Sequence, residues 1–141
     1  MKPFIKKLLK RGCITVSSEE TIKEVAAQLA KNSIGAVPVI NTNEEVIGIV
    51  SERDIVRNLN NRVVDITSEK VATIMTKSVI SAPKTVSSSD LMEMMTENKI
   101  RHVVLMEEKV LLGIVSIGDV VKRLLEKLEG EAEQLRSFIN S

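Results

Sequence analysis

The stretch Gly48-Ile49-Val50-Ser51-Glu52-Arg53-Asp54 returns as Gly113-Ile114-Val115-Ser116-Ile117-Gly118-Asp119, and this echo decides the fold. It extends outward in both directions. Shifted by 66 residues, Ile14 falls on Ile80, Val25 on Leu91, Leu29 on Met95 and Ile34 on Ile100. Farther upstream, Ile5-Lys6-Lys7-Leu8-Leu9 falls on Val71-Ala72-Thr73-Ile74-Met75. After the polar loop at 41–45 the offset drops to 65, so the second copy is one residue shorter in a turn. One copy alone is too small to bury its apolar faces, so the two must be built together.

Within each copy the apolar period alternates between strand and helix. Residues 13–16 form a short β-prone run. From Thr21 to Asn32, apolar Ile22, Val25, Ala26, Leu29 and Ala30 mark one buried helical face. Thr21 and Glu24 have the spacing of a capping box at its start. The β-rich runs 36–40 and 46–50, separated by Asn41-Thr42-Asn43-Glu44-Glu45, predict an antiparallel hairpin. A second helix follows Ser51, with Ile55, Val56 and Leu59 apolar. The second copy repeats this order. Its short strand is at 79–81, its first helix carries Leu91, Met92, Met94 and Met95, and its hairpin spans 102–106 and 110–115. Its last helix carries Val120, Val121, Leu124 and Leu125.

The predicted fold class is therefore α/β (α+β), with two tandem β-α-β-β-α repeats at 4–60 and 70–126 joined by a polar connection. The segment 127–141 is acidic and helix-prone, with Leu128, Leu135, Phe138 and Ile139 as an apolar stripe; it reads as a helix packed on a partner subunit or as a frayed end. The basic start (Lys2, Lys6, Lys7, Lys10, Arg11) aligns with 71–77, so it reads as a solvated helix face within the repeat and not as an added membrane or nucleic-acid arm.

Composition narrows the function. With 20 Lys and Arg against 19 Asp and Glu, the formal charge is +1, which gives no global field toward nucleic acid or membrane. There is no Trp or Tyr, and Phe4 and Phe138 are the only aromatics, so stacking platforms for single-stranded nucleic acid are missing. No apolar run approaches the roughly 20 residues that cross a bilayer, and the start Met1-Lys2-Pro3-Phe4 lacks a secretory signal pattern. A cytoplasmic location is expected. Cys13 is the single cysteine and reads as a small buried hydrophobe. One His and one Cys offer neither a nucleophile–base pair nor a metal cluster, so no catalysis and no catalytic cofactor are expected.

The repeated Ser-x-x-Asp has a plain explanation: Ser51 and Ser116 cap the following helices, with Asp54 and Asp119 closing the boxes. Its context adds a second one. Gly48 and Gly113 open the preceding strands, where a missing Cβ lets a backbone or a ligand come close. A hydroxyl at a helix N-terminus favours an anion such as phosphate, and a carboxylate accepts from the two hydroxyls of a ribose. Phosphate beside the Ser and sugar beside the Asp describe a nucleotide.

The tandem β-α-β-β-α unit, with Gly-apolar-apolar-Ser-x-x-Asp closing each copy, resembles a pair of CBS domains (a Bateman module). Ile34-Gly35-Ala36-Val37-Pro38-Val39, Ile47-Gly48-Ile49-Val50-Ser51-Glu52-Arg53-Asp54 and Ile74-Met75-Thr76-Lys77 carry the resemblance, which covers roughly residues 4–125. It implies pseudo-twofold packing through the β-sheets and two clefts that take adenosine derivatives: AMP, ADP, ATP or S-adenosylmethionine. It implies that Asp54 and Asp119 hold ribose and that Ser51 and Ser116 meet sugar or phosphate. The backbone around Ile14, Thr15, Val16 and Ile80, Ser81, Ala82, with Ala36, Val37, Pro38 and His102, Val103, Val104, would frame the adenine. Arg101-His102, standing where the first copy has Gly35-Ala36, implies one asymmetric phosphate pocket. Arg53, replaced by Gly118 in the second copy, is a second phosphate contact or a surface charge. Val104 stands where the family often has Pro, as Pro38 does in the first copy. The resemblance further implies a homodimer and a regulated partner protein. The alternative reading is a ligand-independent dimerisation module, with nucleic-acid binding third.

Overall fold

A computed structural model describes residues 2–140; Met1 and Ser141, the ends of the predicted start and tail, lie outside the described residues. The chain runs α1 (Pro3–Lys10), β1 (Val16–Ser17), α2 (Ile22–Asn32), β2 (Ala36–Ile40), β3 (Val46–Ser51) and α3 (Glu52–Asn61). A single 3-10 turn, Val71–Thr73, leads into β4 (Ser81–Ala82), α4 (Ser88–Asn98), β5 (His102–Glu107), β6 (Val110–Ser116) and α5 (Ile117–Asn140). Each copy forms a three-stranded sheet, β1-β2-β3 or β4-β5-β6. In both sheets the short first strand pairs parallel to the second, and the last two form the antiparallel hairpin. The predicted order holds in both copies. The first strands start later than the β-prone runs suggest, at Val16 and Ser81, because the residues before them turn toward a cleft.

Capping fixes where the helices start. Thr21 accepts from the Glu24 amide while the Glu24 carboxylate accepts from Thr21, a complete box; Ser51 and Asp54 form another. Ser116 and Asp119 repeat it, with the Ser116 amide donating to Asp119 Oδ2 at 2.9 Å and the Asp119 amide to Ser116 Oγ at 3.2 Å. Ser87 accepts from the Asp90 amide at 3.0 Å, half of a box. Both first helices end on a residue in the left-handed conformation, Ser33 (φ 52°) and Lys99 (φ 53°), and these two positions are equivalent under the 66-residue offset. For a residue with a Cβ that conformation costs roughly 1–2 kcal/mol.

The two apolar cores are exchanged between the repeats. The core on the first sheet contains Val25, Leu29, Val37, Val39 and Val50, but also Val71 and Ile74 from the second repeat. The core on the second sheet contains Leu91, Met95, Val103, Leu105 and Val115, but also Ile5 and Leu8 from α1. Ile5 and Val71 are both 0% exposed, so each leading segment sends an apolar side chain fully into the interior of the opposite repeat. Each buried aliphatic side chain contributes roughly 1.5–3 kcal/mol.

The repeated glycines serve this exchange. A Cβ on Gly48 would lie 2.5 Å from Met75 Sδ and 3.1 Å from the Thr76 carbonyl, and one on Gly113 would lie 3.4 Å from Leu9. The close approach is thus made by the neighbouring chain segment, not by a ligand. α5 continues unbroken through the predicted 127–141 tail to Asn140, leaving Leu128 and Leu135 exposed.

Candidate functional site

Two clefts open between the repeats, and they are related by the same offset as the sequence. The first, about 450 Å³, is walled by Ile49, Ser51 and Asp54 from one repeat and by Ser78, Ile80 and the run 98–102 from the other. The second, about 630 Å³, is walled by Ile114 and Ser116 on one side and by Gly12, Ile14 and the run 33–36 on the other. Ile49 answers Ile114, Ile80 answers Ile14, and Lys99-Ile100-Arg101-His102 answers Ser33-Ile34-Gly35-Ala36. Ala36 and His102 line both clefts.

The chemistry of the two clefts differs. In the first, Arg53, Arg57, Lys99 and Arg101 stand against the carboxylates of Glu52 and Asp54, so the wall is net cationic. Asp54 Oδ2 accepts from the Ser51 amide at 2.8 Å and the Ser51 hydroxyl at 3.0 Å. Among the described residues its Oδ1 faces Arg57 alone, at 3.8 Å, and so keeps acceptor capacity for a hydroxyl. At the second, Asp119 lies behind Arg11, on the groove beneath α1 and outside the cleft lining, and accepts four hydrogen bonds. Arg11 donates to its Oδ1 at 2.8 Å and its Oδ2 at 2.7 Å, while the Ser116 amide and hydroxyl donate to Oδ2. Burial acts most strongly on the Asp119 carboxyl and pushes it up. The Arg11 and Ser116 hydrogen bonds together outweigh burial and hold the carboxyl below its ordinary range.

His102 sits on the shared wall. Its burial, the dominant effect, lowers its proton affinity, and Arg101 adds to this, while Asp119 and Glu52 pull the other way. Gly35 packs close to the ring, and a Cβ there would lie 3.3 Å from it, a tight contact that the His102 side chain would have to yield to.

Of the residues expected to hold a ligand, Ser51, Arg53, Asp54, Ala36, Ile80, Arg101 and His102 line the first cleft. Ile14 and Ser116 line the second with Ala36 and His102. The side chains of Val16, Val37, Ala82, Val103 and Val104, whose backbone the resemblance puts around an adenine, are buried, at most 4% exposed. Pro38 is also buried in β2, and Thr15 and Ser81 lie outside the cleft walls. Strand alternation points Val37 and Val103 into the two apolar cores, while the strand ends and the turns before them form the clefts. Sequence reading missed Lys99, Arg57 and Arg11. Lys99 was legible from its place beside Arg101-His102, and Arg57 from its i+3 position after Asp54 on α3. Nothing in the local pattern marked Arg11, whose partner is 108 residues away.

The duplicated unit, the paired sheets and the two clefts agree with what the sequence matches. The chain belongs to the CBS domain family, matched over residues 5–61 and 71–126. CBS domains are regulatory modules and not catalysts. Relatives narrow this further. A CBS domain protein of Pyrobaculum aerophilum, solved in complex with AMP, is 32% identical, with a TM-score of 0.73 over 82% of this chain and 88% of its own. The CBS domain pair of a further protein, solved with 5-methylthioadenosine and S-adenosyl-L-methionine, is 25% identical, with a TM-score of 0.77 over 87% of this chain and 96% of its own. A mitochondrial CBS domain-containing protein of Arabidopsis thaliana is 30% identical over 128 residues. That alignment takes in 87% of this chain but only 62% of the relative, so the chain spans less than two thirds of its length. No helix among the described residues is long and apolar enough to cross a membrane.

Proposed function

We propose that this CBS pair is a sensor that binds an adenosine nucleotide, AMP in the first instance, in the Asp54 cleft and passes the change to a partner protein. The observation that carries this reading is the juxtaposition of an acceptor with spare capacity, Asp54 Oδ1, and the cations Arg53, Arg57, Lys99 and Arg101 in one cleft of about 450 Å³. Ribose hydroxyls suit the carboxylate, phosphate suits the cations, and the half-buried Ile49, Ile80 and Ile100 supply an apolar wall for the base. Complexes of relatives with AMP and with adenosine sulfonium compounds support the ligand class. A second copy of the chain is part of the proposal, with the exposed face of α5 at Ile117, Val121 and Leu125 as the contact.

A ligand-independent dimerisation module is the second reading, favoured by the completeness of the Ser51–Asp54 capping box, which by itself accounts for both residues as helix caps. One experiment separates them. Because the chain has no Trp or Tyr, it is nearly transparent at 280 nm, and an adenine band near 260 nm in the purified protein reports a bound ligand directly. Calorimetric titration with AMP then compares wild type with Asp54→Ala. The sensor reading expects the variant to lose the tight site; unchanged AMP binding in Asp54→Ala sinks the site assignment.

A further inference from the structure

The two clefts are equivalent in backbone but not in how their carboxylates are engaged, and one residue makes the difference. In the first cleft the entering segment is tied to β3 by backbone: the Ile49 amide donates to the Thr76 carbonyl at 3.0 Å and the Thr76 amide to the Ile49 carbonyl at 2.8 Å. In the second, α1 runs on to Lys10 and the Ile114 carbonyl accepts instead from the Arg11 guanidinium, at 3.0 Å. That bond draws Arg11 inward, where its two terminal nitrogens fork onto Asp119. Arg11 lines both the second cleft and the groove beneath α1, whereas Asp119 lines only that groove, with Pro3, Phe4 and Lys7. The guanidinium therefore stands between the cleft and the carboxylate. The residue equivalent to Arg11 is Lys77, and among the described residues no ion pair joins it to Asp54.

We propose that Arg11 is a latch on the Asp119 cleft, so that the two clefts bind the same nucleotide with unequal affinity and the Asp54 cleft fills first. This rests on the nucleotide reading of the clefts. A ribose reaching Asp119 must first displace a two-pronged, charge-assisted contact, whereas a ribose reaching Asp54 displaces nothing closer than Arg57 at 3.8 Å. The Arg11 side chain is 48% exposed, so solvent screens the pair and the latch is one that a ligand can open. The expected penalty on the second cleft is about two- to fivefold in affinity, the upper part of the range for a partly exposed ion pair.

The test is calorimetric titration with AMP of wild type, Asp54→Ala, Arg11→Gln and Arg11→Lys. Arg11→Lys installs the residue that the other copy carries and guards against a folding defect in Arg11→Gln. Two unequal sites are expected in wild type, the tighter one missing in Asp54→Ala. Both Arg11 variants should tighten the weaker site by about two- to fivefold and leave the tighter one where it was. A wild type that fills two sites with one affinity overturns the latch while leaving the nucleotide reading intact. So does a weaker site that stays the same or loosens further in both Arg11 variants, which would make Arg11 a ligand contact. A wild type with no heat of binding for AMP, ATP or S-adenosylmethionine overturns both.

Discussion

At the scale of single residues, function and stability meet in the Ser-x-x-Asp pair. Asp54 uses one carboxylate oxygen to cap α3 and leaves the other for a ligand, so the structural and functional explanations of the motif are both satisfied by the same side chain. Asp54→Ala should therefore lower stability by about 1 kcal/mol through the lost cap while removing the tighter nucleotide site; a melt and a titration read the two effects separately. Asp54→Asn keeps an acceptor oxygen for the cap but loses the charge, so it should recover much of the stability without recovering the site. His102 gives a pH prediction. Burial, foremost, holds it below its ordinary value of 6.5 in the fold, against the pull of Asp119 and Glu52 and with the push of Arg101. As pH falls through 6.5 the unfolded chain takes up the proton before the folded one does, so unfolding is favoured. Stability should fall between about pH 7 and pH 5 by an amount that His102→Gln removes, as denaturant melts across that window would show; an identical slope in the variant refutes the assignment. A bound phosphate on the shared wall would favour the charged ring, so nucleotide affinity should rise over the same window in wild type only.

At the scale of elements, the packing partner of a segment is not the repeat it belongs to by sequence. Ile5 and Leu8 lie on a short, basic, N-terminal helix whose exposed face carries Lys6, Lys7 and Lys10, yet both are buried in the core of the second sheet. Leu8→Ala should cost about 2–5 kcal/mol, as a core truncation, and not the few tenths expected of a frayed terminus; a shift in the urea midpoint measures it. Gly48→Ala is expected to cost about 1–3 kcal/mol, because the new methyl group would meet Met75 and the Thr76 carbonyl. Element order was legible because the apolar periods are strong: Ile22, Val25 and Leu29 recur at helical spacing, and the hairpins are bounded by polar turns. The clefts were legible in part. Ser51, Asp54 and Ser116 could be picked out from a repeated local pattern, and Arg101-His102 from its contrast with Gly35-Ala36. What stayed hidden is non-local. Strand alternation buries Val37 and Val103 beside residues that reach the clefts, and no local feature tells that Arg11 meets Asp119.

At the scale of the whole molecule, the exchange makes the two repeats a single cooperative unit. The polar connection after α3 is also pinned down, with the Ile22 amide donating to the Glu69 carbonyl at 3.0 Å, the Lys23 amide to the Ile66 carbonyl at 2.9 Å and the Val71 amide to the Glu20 carbonyl at 2.8 Å. A fragment ending at residue 66 would keep the first sheet but lose Val71 and Ile74 from its core and two of the bonds that hold the connection. A fragment starting at 67 would keep the second sheet but lose Ile5 and Leu8. Each would leave two aliphatic side chains' worth of core empty, roughly 3–6 kcal/mol against a total stability of about 5–15 kcal/mol. Neither fragment is therefore expected to show a cooperative melt alone, and an equimolar mixture should regain one. Circular dichroism of the two fragments and of their mixture decides this; a cooperative transition in either fragment by itself would mean that the exchanged segments are accessory to cores already sufficient. The same coupling sets how a ligand could be felt at a distance. Ile49 of the first cleft is hydrogen-bonded to Thr76, and Thr76 directly follows the Ile74-Met75 pair that packs against the first sheet. A nucleotide that shifts β3 therefore pulls on a segment of the other repeat. Native-state hydrogen exchange with and without AMP should show added protection at Ile49 and Thr76 together, and protection at one without the other would break that link.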